Sequence, residues 1–395
     1  MANLFARGVH AAWLASLRRP TNRFITAVRD PQAAQARKLH GILARNTKTA
    51  YGTAHGFKRV ATPAQWQAEV PVSNADSLAP WIRRISDGED GVLTRDAVLT
   101  LEPTAGTTGA PKLIPYTQEL LDELMAATGP WLFEIYRQWP GLLGTRSYWS
   151  AASAPAMPAH TAGGLPIGAK DDSAYFGPLE GWANARVTAG ITAEAPTAEP
   201  ASPFEFALGL LEAEDLGLFS VWSPDTLLDL VSLIEEHLEA LLAELSPARA
   251  TNLRGAIVAS GGVDLCTLWP ALALVSCWAD APSEAAAVRL KALMPSAAIQ
   301  PKGLLATEGV VTVPIGARKG AVAAVSSHFL EFIDLQAPAA RPRLVHEVRQ
   351  DALYSPLLTT GGGLYRYQLG DAIRCVDHTG ETPHFVVEGR LDTLP

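Results

Sequence analysis

Apolar residues recur every three or four positions along one segment of the chain, residues 224–245. The apolar positions are Leu227, Val231, Ile234, Leu238, Leu241 and Leu245. This spacing places the apolar side chains on one face of an α-helix. Ser223 is a good N-cap, and Pro224 fits the first helical turn. The pattern therefore predicts one helix over residues 224–245.

Two other segments favour helices on the same grounds. One begins after Thr117 and has apolar residues at helical spacing as far as Met125. The other, residues 283–294, is rich in alanine and ends at Pro295, a residue that cannot continue a helix.

The N-terminal region has an apolar run at residues 11–17, which Arg18 and Arg19 follow. A secretory signal has its basic residues before the apolar run, so this order argues against a signal. We interpret the run as the first helix of the protein. It belongs to a predicted helical N-terminal segment, residues 1–45.

Short β-branched or aliphatic runs alternate with these helices and predict buried strands. They are residues 255–259, 272–277, 310–315, 329–333 and 373–376. Continuous apolar runs bounded by turns are typical of strands covered on both faces, as in parallel sheets. The alternation indicates an α/β fold with mainly parallel sheets flanked by helices, arranged as one large domain.

Composition and charge exclude several classes of protein. The chain has 395 residues, of which 48% are hydrophobic and 18% charged, so disorder and a collagen-like repeat are excluded. Its formal charge of −8 offers no broad basic surface to a nucleic acid. The longest apolar stretch, residues 268–279, is interrupted by Pro270 and is too short to span a bilayer. We therefore expect neither a nucleic-acid nor a membrane partner.

The three cysteines, Cys266, Cys277 and Cys375, are odd in number and scattered. This usage predicts reduced thiols and a cytoplasmic protein. Cys375 and His378 have the spacing of metal ligands, but no second pair lies near them in sequence. A structural zinc site is therefore not predicted.

The most informative stretch is residues 104–112, TAGTTGAPK, which follows a strand-like run at residues 97–101. Glycines allow the backbone N–H groups to approach an anion closely, and threonine hydroxyls and Lys112 add donors and positive charge. The segment does not fit the Walker A pattern. It predicts a phosphate-binding loop; the alternative is an ordinary turn rich in threonine and glycine.

This segment resembles the phosphate-binding loop of the acyl-adenylate-forming superfamily. Its continuation, residues 113–117, is similar to the auxin-responsive acyl-acid amido synthetases, the Gretchen Hagen family, and particularly to their bacterial members. Further matching stretches follow in order, at residues 46–52, 85–89, 276–280, 302–309 and 363–371.

The resemblance implies a domain organisation. Residues 1–392 match the large N-terminal adenylation domain of that fold. Residues 389–395, which include Gly389, Arg390 and Asp392, resemble the hinge that leads to a small C-terminal lid domain in that fold. The resemblance does not extend to the lid domain itself. We expect this lid to be absent or to be supplied separately.

The resemblance also implies the roles of individual residues. Residues expected to bind ATP are Thr104, Gly106, Thr107, Thr108, Gly109, Lys112, Thr307, Asp371 and Arg390. Those expected to act in catalysis are Lys112, Glu308, Thr107 and Thr108. Glu308 would hold Mg²⁺, and Asp371 would accept hydrogen bonds from the ribose hydroxyls. Without the resemblance, Glu308 could equally be a surface residue, and Asp371 could cap a turn.

The implied function is an ATP- and Mg²⁺-dependent ligase. A carboxylic acid would attack ATP to give an acyl-adenylate, and an amino acid or another amine would then displace AMP. Coenzyme A as the acceptor is an alternative, as is a non-catalytic or incomplete domain that only binds a nucleotide or an acid. The residues do not specify which acid is used.

Overall fold

We describe the fold from a computed structural model of the chain, which describes residues 4–104, 112–150, 157–168 and 202–394. The chain divides into two compact units. The first unit comprises Met1–Ser16, Phe133–Ala152 and Lys170–Lys302, and the second comprises Leu17–Leu132, Ser153–Ala169 and Gly303–Pro395.

The described helices include two long ones in the region predicted to be helical at the N-terminus. Their bounds are Leu4–Arg29 (α1), Pro31–Asn46 (α2), Ala50–Ala54 (α3), Pro63–Glu69 (α4), Ala75–Ser86 (α5), Gln118–Gln138 (α6), Pro203–Glu212 (α7), Asp225–Glu236 (α8), Leu238–Glu244 (α9), Pro247–Ser260 (α10), Leu265–Leu268 (α11) and Glu284–Ala292 (α12). None of these described helices combines the length and the apolar character needed to cross a membrane.

The described strands are mostly short. Their bounds are Thr100–Pro103 (β1), Leu113–Tyr116 (β2), Arg146–Trp149 (β3), Leu216–Ser220 (β4), Leu274–Cys277 (β5), Ala298–Pro301 (β6), Leu305–Ala306 (β7), Gly309–Val310 (β8), Thr312–Val313 (β9), Ala321–Ala323 (β10), Phe329–Asp334 (β11), Arg343–Leu344 (β12), Leu353–Thr359 (β13), Tyr367–Gln368 (β14), Asp371–Thr379 (β15) and Thr382–Arg390 (β16).

Several helices begin with a hydroxyl residue followed by proline. Thr62, Ser202 and Ser246 precede the prolines that open α4, α7 and α10. Each hydroxyl accepts a hydrogen bond from the backbone N–H three residues on, at 3.2, 3.2 and 3.4 Å respectively. The cap satisfies an N–H group that the first helical turn leaves unpaired, and proline supplies the helical φ without needing a partner.

The first unit contains a four-stranded parallel sheet, β3–β4–β5–β6. Buried aromatic and aliphatic side chains from the sheet and from α7–α12 form its core, with Phe219 and Trp269 in edge-to-face contact at 5.0 Å. The predicted parallel pairing and the predicted strand at residues 272–277, which becomes β5, are confirmed here.

The strand predicted at residues 255–259 is wrong, because these residues belong to α10. The helix continues to Ser260 and ends where Gly261 adopts a left-handed conformation, with φ of 79°. Val258, at the centre of the apolar part of the run, is 77% exposed. A short apolar run fits either a strand or a helix, and here it forms part of a capped helix and is partly exposed to solvent.

The single helix predicted over residues 224–245 is two helices, α8 and α9, separated by His237. The apolar period continues across the break because Ile234 and Leu241 both pack into the same core. Ser223 lies one residue before the cap, where its hydroxyl accepts a hydrogen bond from the Asp225 N–H at 3.1 Å.

The second unit contains an eight-stranded sheet in the order β12–β11–β13–β15–β16–β10–β9, with β14 also paired to β13. All of these pairs are antiparallel, so the expectation of mainly parallel sheets is wrong for the largest sheet. The connections explain the difference. Only Gly380 and Glu381 join β15 to β16, and a link of two residues can only reverse the chain.

A buried ion pair joins α4 to the large sheet. The Arg366 guanidinium donates two parallel hydrogen bonds to the Glu331 carboxylate, at 3.1 and 3.0 Å, and two more to the backbone carbonyls of Gln67 and Val70. Trp66 also donates to Glu331, at 3.2 Å. Arg366 is 3% exposed and Glu331 is 1% exposed. Burial of both charges is tolerated because nearly every polar group has a partner.

Glu331→Gln should lower the free energy of unfolding by about 3–5 kcal/mol, because it leaves the Arg366 charge buried without a counter-ion. Urea denaturation measures the loss. Arg318→Gln is the control, since its ion pair with Asp377 is half-exposed and should contribute less than about 1 kcal/mol. Equal effects of the two substitutions would contradict a special role for the buried pair.

Candidate nucleotide-binding site

The strands β1 and β2 form a hairpin that brackets the predicted phosphate loop. Pro103 pairs with Leu113, and the Thr104 N–H donates to the Lys112 carbonyl at 2.8 Å. Thr104 is buried and the Lys112 side chain is exposed. Residues 105–111, which include Gly106, Thr107, Thr108 and Gly109, lie outside the described residues, so their predicted roles stay predictions.

Thr307 and Glu308 form the two-residue connection of a second small hairpin, β7–β8. The Tyr116 hydroxyl, at the end of β2, donates to the Thr307 carbonyl at 2.8 Å. This bond ties the strand after the phosphate loop to the turn that presents Glu308. Tyr116 lies in the stretch of residues 113–117 that resembles the family, but the sequence alone indicates no role for it.

The Glu308 carboxyl lies in a charged environment. Burial raises its pKa, and a hydrogen bond from its own backbone lowers it. The positive charges of Lys112 and Arg390 also lower it, whereas the negative charge of Asp371 raises it. Three predicted site residues from other stretches of the sequence thus act electrostatically on the Glu308 carboxyl.

Asp371 and Arg390 face each other across the β15–β16 pair. Arg390 Nη1 lies 3.2 and 3.3 Å from the two carboxylate oxygens of Asp371. Burial raises the pKa of Asp371, while Arg390 opposes the shift. Gly370 has a φ of 83°, which favours glycine, and a Cβ there would lie 3.1 Å from Arg390 Nη2, so glycine leaves room for the guanidinium.

The donor set fits magnesium bound together with a nucleotide. Among the described residues no group of three or more histidine, cysteine, aspartate or glutamate side chains could hold a metal ion by itself. Mg²⁺ is usually held by one or two carboxylates, with phosphate oxygens and water as the remaining ligands. A single carboxylate, Glu308, near the lysine that follows a phosphate loop matches that pattern.

Comparison with known families assigns the chain. The GH3 family N-terminal domain matches residues 20–254, more than half of the chain, and the GH3 family central domain matches residues 321–390. The chain belongs to the GH3 family. The predicted membership is thereby confirmed.

Curated GH3 proteins and solved structures agree with this assignment. The chain is 23% identical to indole-3-acetic acid-amido synthetase GH3.15 of Arabidopsis thaliana, over 89% of this chain and 67% of that protein. It is 32% identical to jasmonoyl–L-amino acid synthetase JAR6 of Nicotiana attenuata, over 26% of this chain and 18% of that protein.

The structure of AtGH3.15 acyl acid amido synthetase in complex with 2,4-DB superposes with a TM-score of 0.83. That match covers 95% of this chain and 71% of the other, at 18% identity, and therefore shows the fold. The predicted α/β fold is confirmed as that of a GH3 amido synthetase.

The first unit of this GH3 protein holds a buried lysine that sequence reasoning did not single out. Lys302 follows β6 at the carboxyl edge of the parallel sheet and is 4% exposed. Its Nζ donates to the Ser220 hydroxyl and lies 5.3 and 5.7 Å from the ring centroids of Trp222 and Trp149. Burial lowers the pKa of Lys302 to about 7, against a smaller opposing effect of Cys277.

The stability of the protein should depend on the charge of Lys302. The folded amine loses its proton near pH 7, but in the unfolded chain it does so only near pH ~10.4. Between these values the unfolded chain binds one more proton. The free energy of unfolding, relative to Lys302→Met, should therefore rise by up to about 1.4 kcal/mol per pH unit.

Urea denaturation of the wild type and of Lys302→Met at pH 7, 8 and 9 checks this expectation. Methionine fills a similar volume without a charge, so the variant serves as the reference at each pH. Parallel pH profiles of the two proteins would show that Lys302 titrates in the folded protein as it does in the unfolded chain.

Proposed function

We propose that this GH3 protein is an ATP-dependent acid–amino acid ligase. It would adenylate a carboxylic acid with ATP and Mg²⁺ and then transfer the acyl group to the amine of an amino acid. The observation that supports this most directly is that Asp371 pairs with Arg390 and that both, together with Lys112, act electrostatically on the carboxyl of Glu308. The GH3 relatives are named for the conjugation of acids to amino acids.

The adenylation step brings two anions together. A carboxylate oxygen of the acid attacks the α-phosphorus, the bond to the β-phosphate oxygen breaks, and pyrophosphate leaves. Lys112 would bind phosphate oxygens and offset their charge, as would the N–H and hydroxyl groups expected from Thr104, Thr107 and Thr108. Mg²⁺, when bound, supplies further positive charge at the phosphates, and Glu308 would hold it.

The second step needs no side-chain nucleophile. The mixed anhydride of the acyl-adenylate is already activated, so the amine attacks its carbonyl carbon and AMP leaves. The protein's part in this step is to position both reactants and to exclude water. The names of the relatives favour an amino acid over coenzyme A as the acceptor.

Asp371 and Arg390 would bind the nucleoside part of ATP. A carboxylate with two acceptor oxygens fits the paired hydroxyls of a ribose. Arg390 donates to both oxygens of Asp371, which fixes the orientation of the carboxylate before a nucleotide arrives.

The protein should catalyse ATP–pyrophosphate exchange that depends on an added carboxylic acid. A panel of aryl, indole and fatty acids, with radiolabelled pyrophosphate, measures this. Lys112→Ala and Glu308→Gln should each reduce the exchange rate by about 100-fold or more, because each removes a group that stabilises charge in the transition state. Arg318→Gln, on a surface ion pair, should leave the rate within about twofold.

Nucleotide binding without exchange for any acid would contradict the proposed ligase. It would instead favour a domain that binds a nucleotide or an acid without catalysis.

Asp371→Asn should reduce the preference of the site for ribose hydroxyls. The wild type should bind ATP more tightly than 2′,3′-dideoxy-ATP, and the substitution should narrow this ratio by about tenfold or more, because it weakens hydrogen bonds to a charged acceptor. Calorimetric titration of both nucleotides with both proteins measures the ratio. An unchanged ratio would assign the ribose to other residues.

A further inference from the structure

Glu123 and His328 form a fully buried pair in the second unit. His328 Nδ1 lies 2.9 Å from Glu123 Oε2, and the same oxygen accepts a hydrogen bond from the Gly361 N–H at 2.8 Å. Lys38 Nζ lies 3.5 Å from the other oxygen of Glu123. Because a carboxylate only accepts, Nδ1 of the ring carries the hydrogen that it shares with Glu123.

The backbone around the pair is held equally firmly. The Ser327 hydroxyl donates to the Glu123 carbonyl at 2.6 Å, and the Gln35 side chain donates to the His328 carbonyl at 2.7 Å. Gln35 also accepts from the Leu330 N–H, at 2.7 Å. The ring of His328 therefore has a fixed position between α2, α6 and the start of β11.

The other edge of the ring faces the turn that presents Glu308. His328 Nε2 is buried and has no hydrogen-bond partner among the described residues. A Cβ built on Gly309 would lie only 2.7 Å from this nitrogen. Gly309, with a φ of 154°, directly follows Thr307 and Glu308, so the ring fills the space behind their turn.

A buried polar atom without a hydrogen-bond partner is uncommon in a folded protein and calls for an explanation. No hydrogen bond at Nε2 explains why a histidine rather than an apolar residue is directed at Gly309. The hydrogen bond from Nδ1 to Glu123 does explain it, because it fixes the ring and gives the turn a support that a flexible side chain could not give.

We propose that Glu123 and His328 are positioning residues that hold the Thr307–Glu308 turn in the geometry needed to bind Mg²⁺ and ATP together. This inference rests on the proposed function for its ligand. His328 is not a catalytic residue, because it is fully buried and contacts the backbone of the turn rather than a reacting group.

Two substitutions separate the two edges of the ring. In His328→Asn the amide nitrogen takes the place of Nδ1, so the bond to Glu123 is kept but the contact behind Gly309 is lost. In His328→Gln the amide nitrogen takes the place of Nε2, so the contact is kept. We expect His328→Asn to weaken the binding of Mg²⁺ and a non-hydrolysable ATP analogue by roughly 10–100-fold, and His328→Gln to weaken it less.

His384→Asn is the matched control. His384 is also a buried histidine of the second unit, with Nε2 2.8 Å from the Thr379 hydroxyl, at the opposite end of β16 from Arg390. The His384→Asn substitution should lower the melting temperature, as His328→Asn does, but should leave the affinity for the nucleotide unchanged.

Hydrogen exchange without ligand gives a second comparison. The backbone amides of residues 305–310 should exchange faster than in the wild type in His328→Asn but not in His384→Asn.

Equal affinities or equal exchange at residues 305–310 in the two asparagine variants would overturn the proposal. If His328→Asn does not fold, Glu123→Gln, which keeps the shape of the carboxylate, should weaken binding in the same direction, and unchanged binding in it would overturn the proposal too. A wild-type protein that binds the nucleotide but does not catalyse pyrophosphate exchange would contradict the proposed ligase function. The binding and hydrogen-exchange comparisons of the variants would still decide the roles of Glu123 and His328. A wild type that binds no nucleotide would overturn both.

Discussion

The buried ion pair between Arg366 and Glu331 is the constraint that organises the second unit. Removing two charges from water is costly, and the cost is offset only when almost every donor and acceptor is paired. The pair meets this requirement by joining β11, the carboxyl end of α4 and the turn before β14. Arg366 takes a positive φ of 50° to do so. Asp371, a candidate site residue, lies five residues after Arg366. The Arg366–Glu331 pair therefore anchors the backbone close to Asp371.

The described residues of the candidate site are held by pairs of antiparallel strands. Thr104 and Lys112 flank the predicted phosphate loop at the ends of β1 and β2, Thr307 and Glu308 form the β7–β8 turn, and Asp371 lies opposite Arg390 in the β15–β16 pair. Tyr116 also links β2 to the β7–β8 turn. The described residues of the site are thus held in place by strand pairing, and groups held in this way can stabilise charge with little reorganisation.

The local patterns predicted some elements correctly and missed others. The helix after Thr117 is present as α6, and the run at residues 329–333 is present in β11. The run at residues 255–259 is helical, and a run of five apolar residues is too short for its period to separate a strand from a helix. The direction of the large sheet also escaped prediction, because its strands β11 and β13 are buried along nearly their whole length and therefore show the continuous apolar runs that are typical of parallel strands.

The sequence by itself determined the α/β class and the GH3 membership. It also predicted four candidate site residues, Lys112, Glu308, Asp371 and Arg390, and in the structure the charges of the other three act on Glu308. These depend on residue types at fixed spacing, which a linear chain records directly. Only the tertiary structure decided the roles of Arg366, Lys302 and His328, whose partners lie 35, 82 and 205 positions away in the chain. Which buried polar group meets which partner depends on how the strands and helices pack. Local residue spacing does not reveal contacts between positions so far apart in the chain.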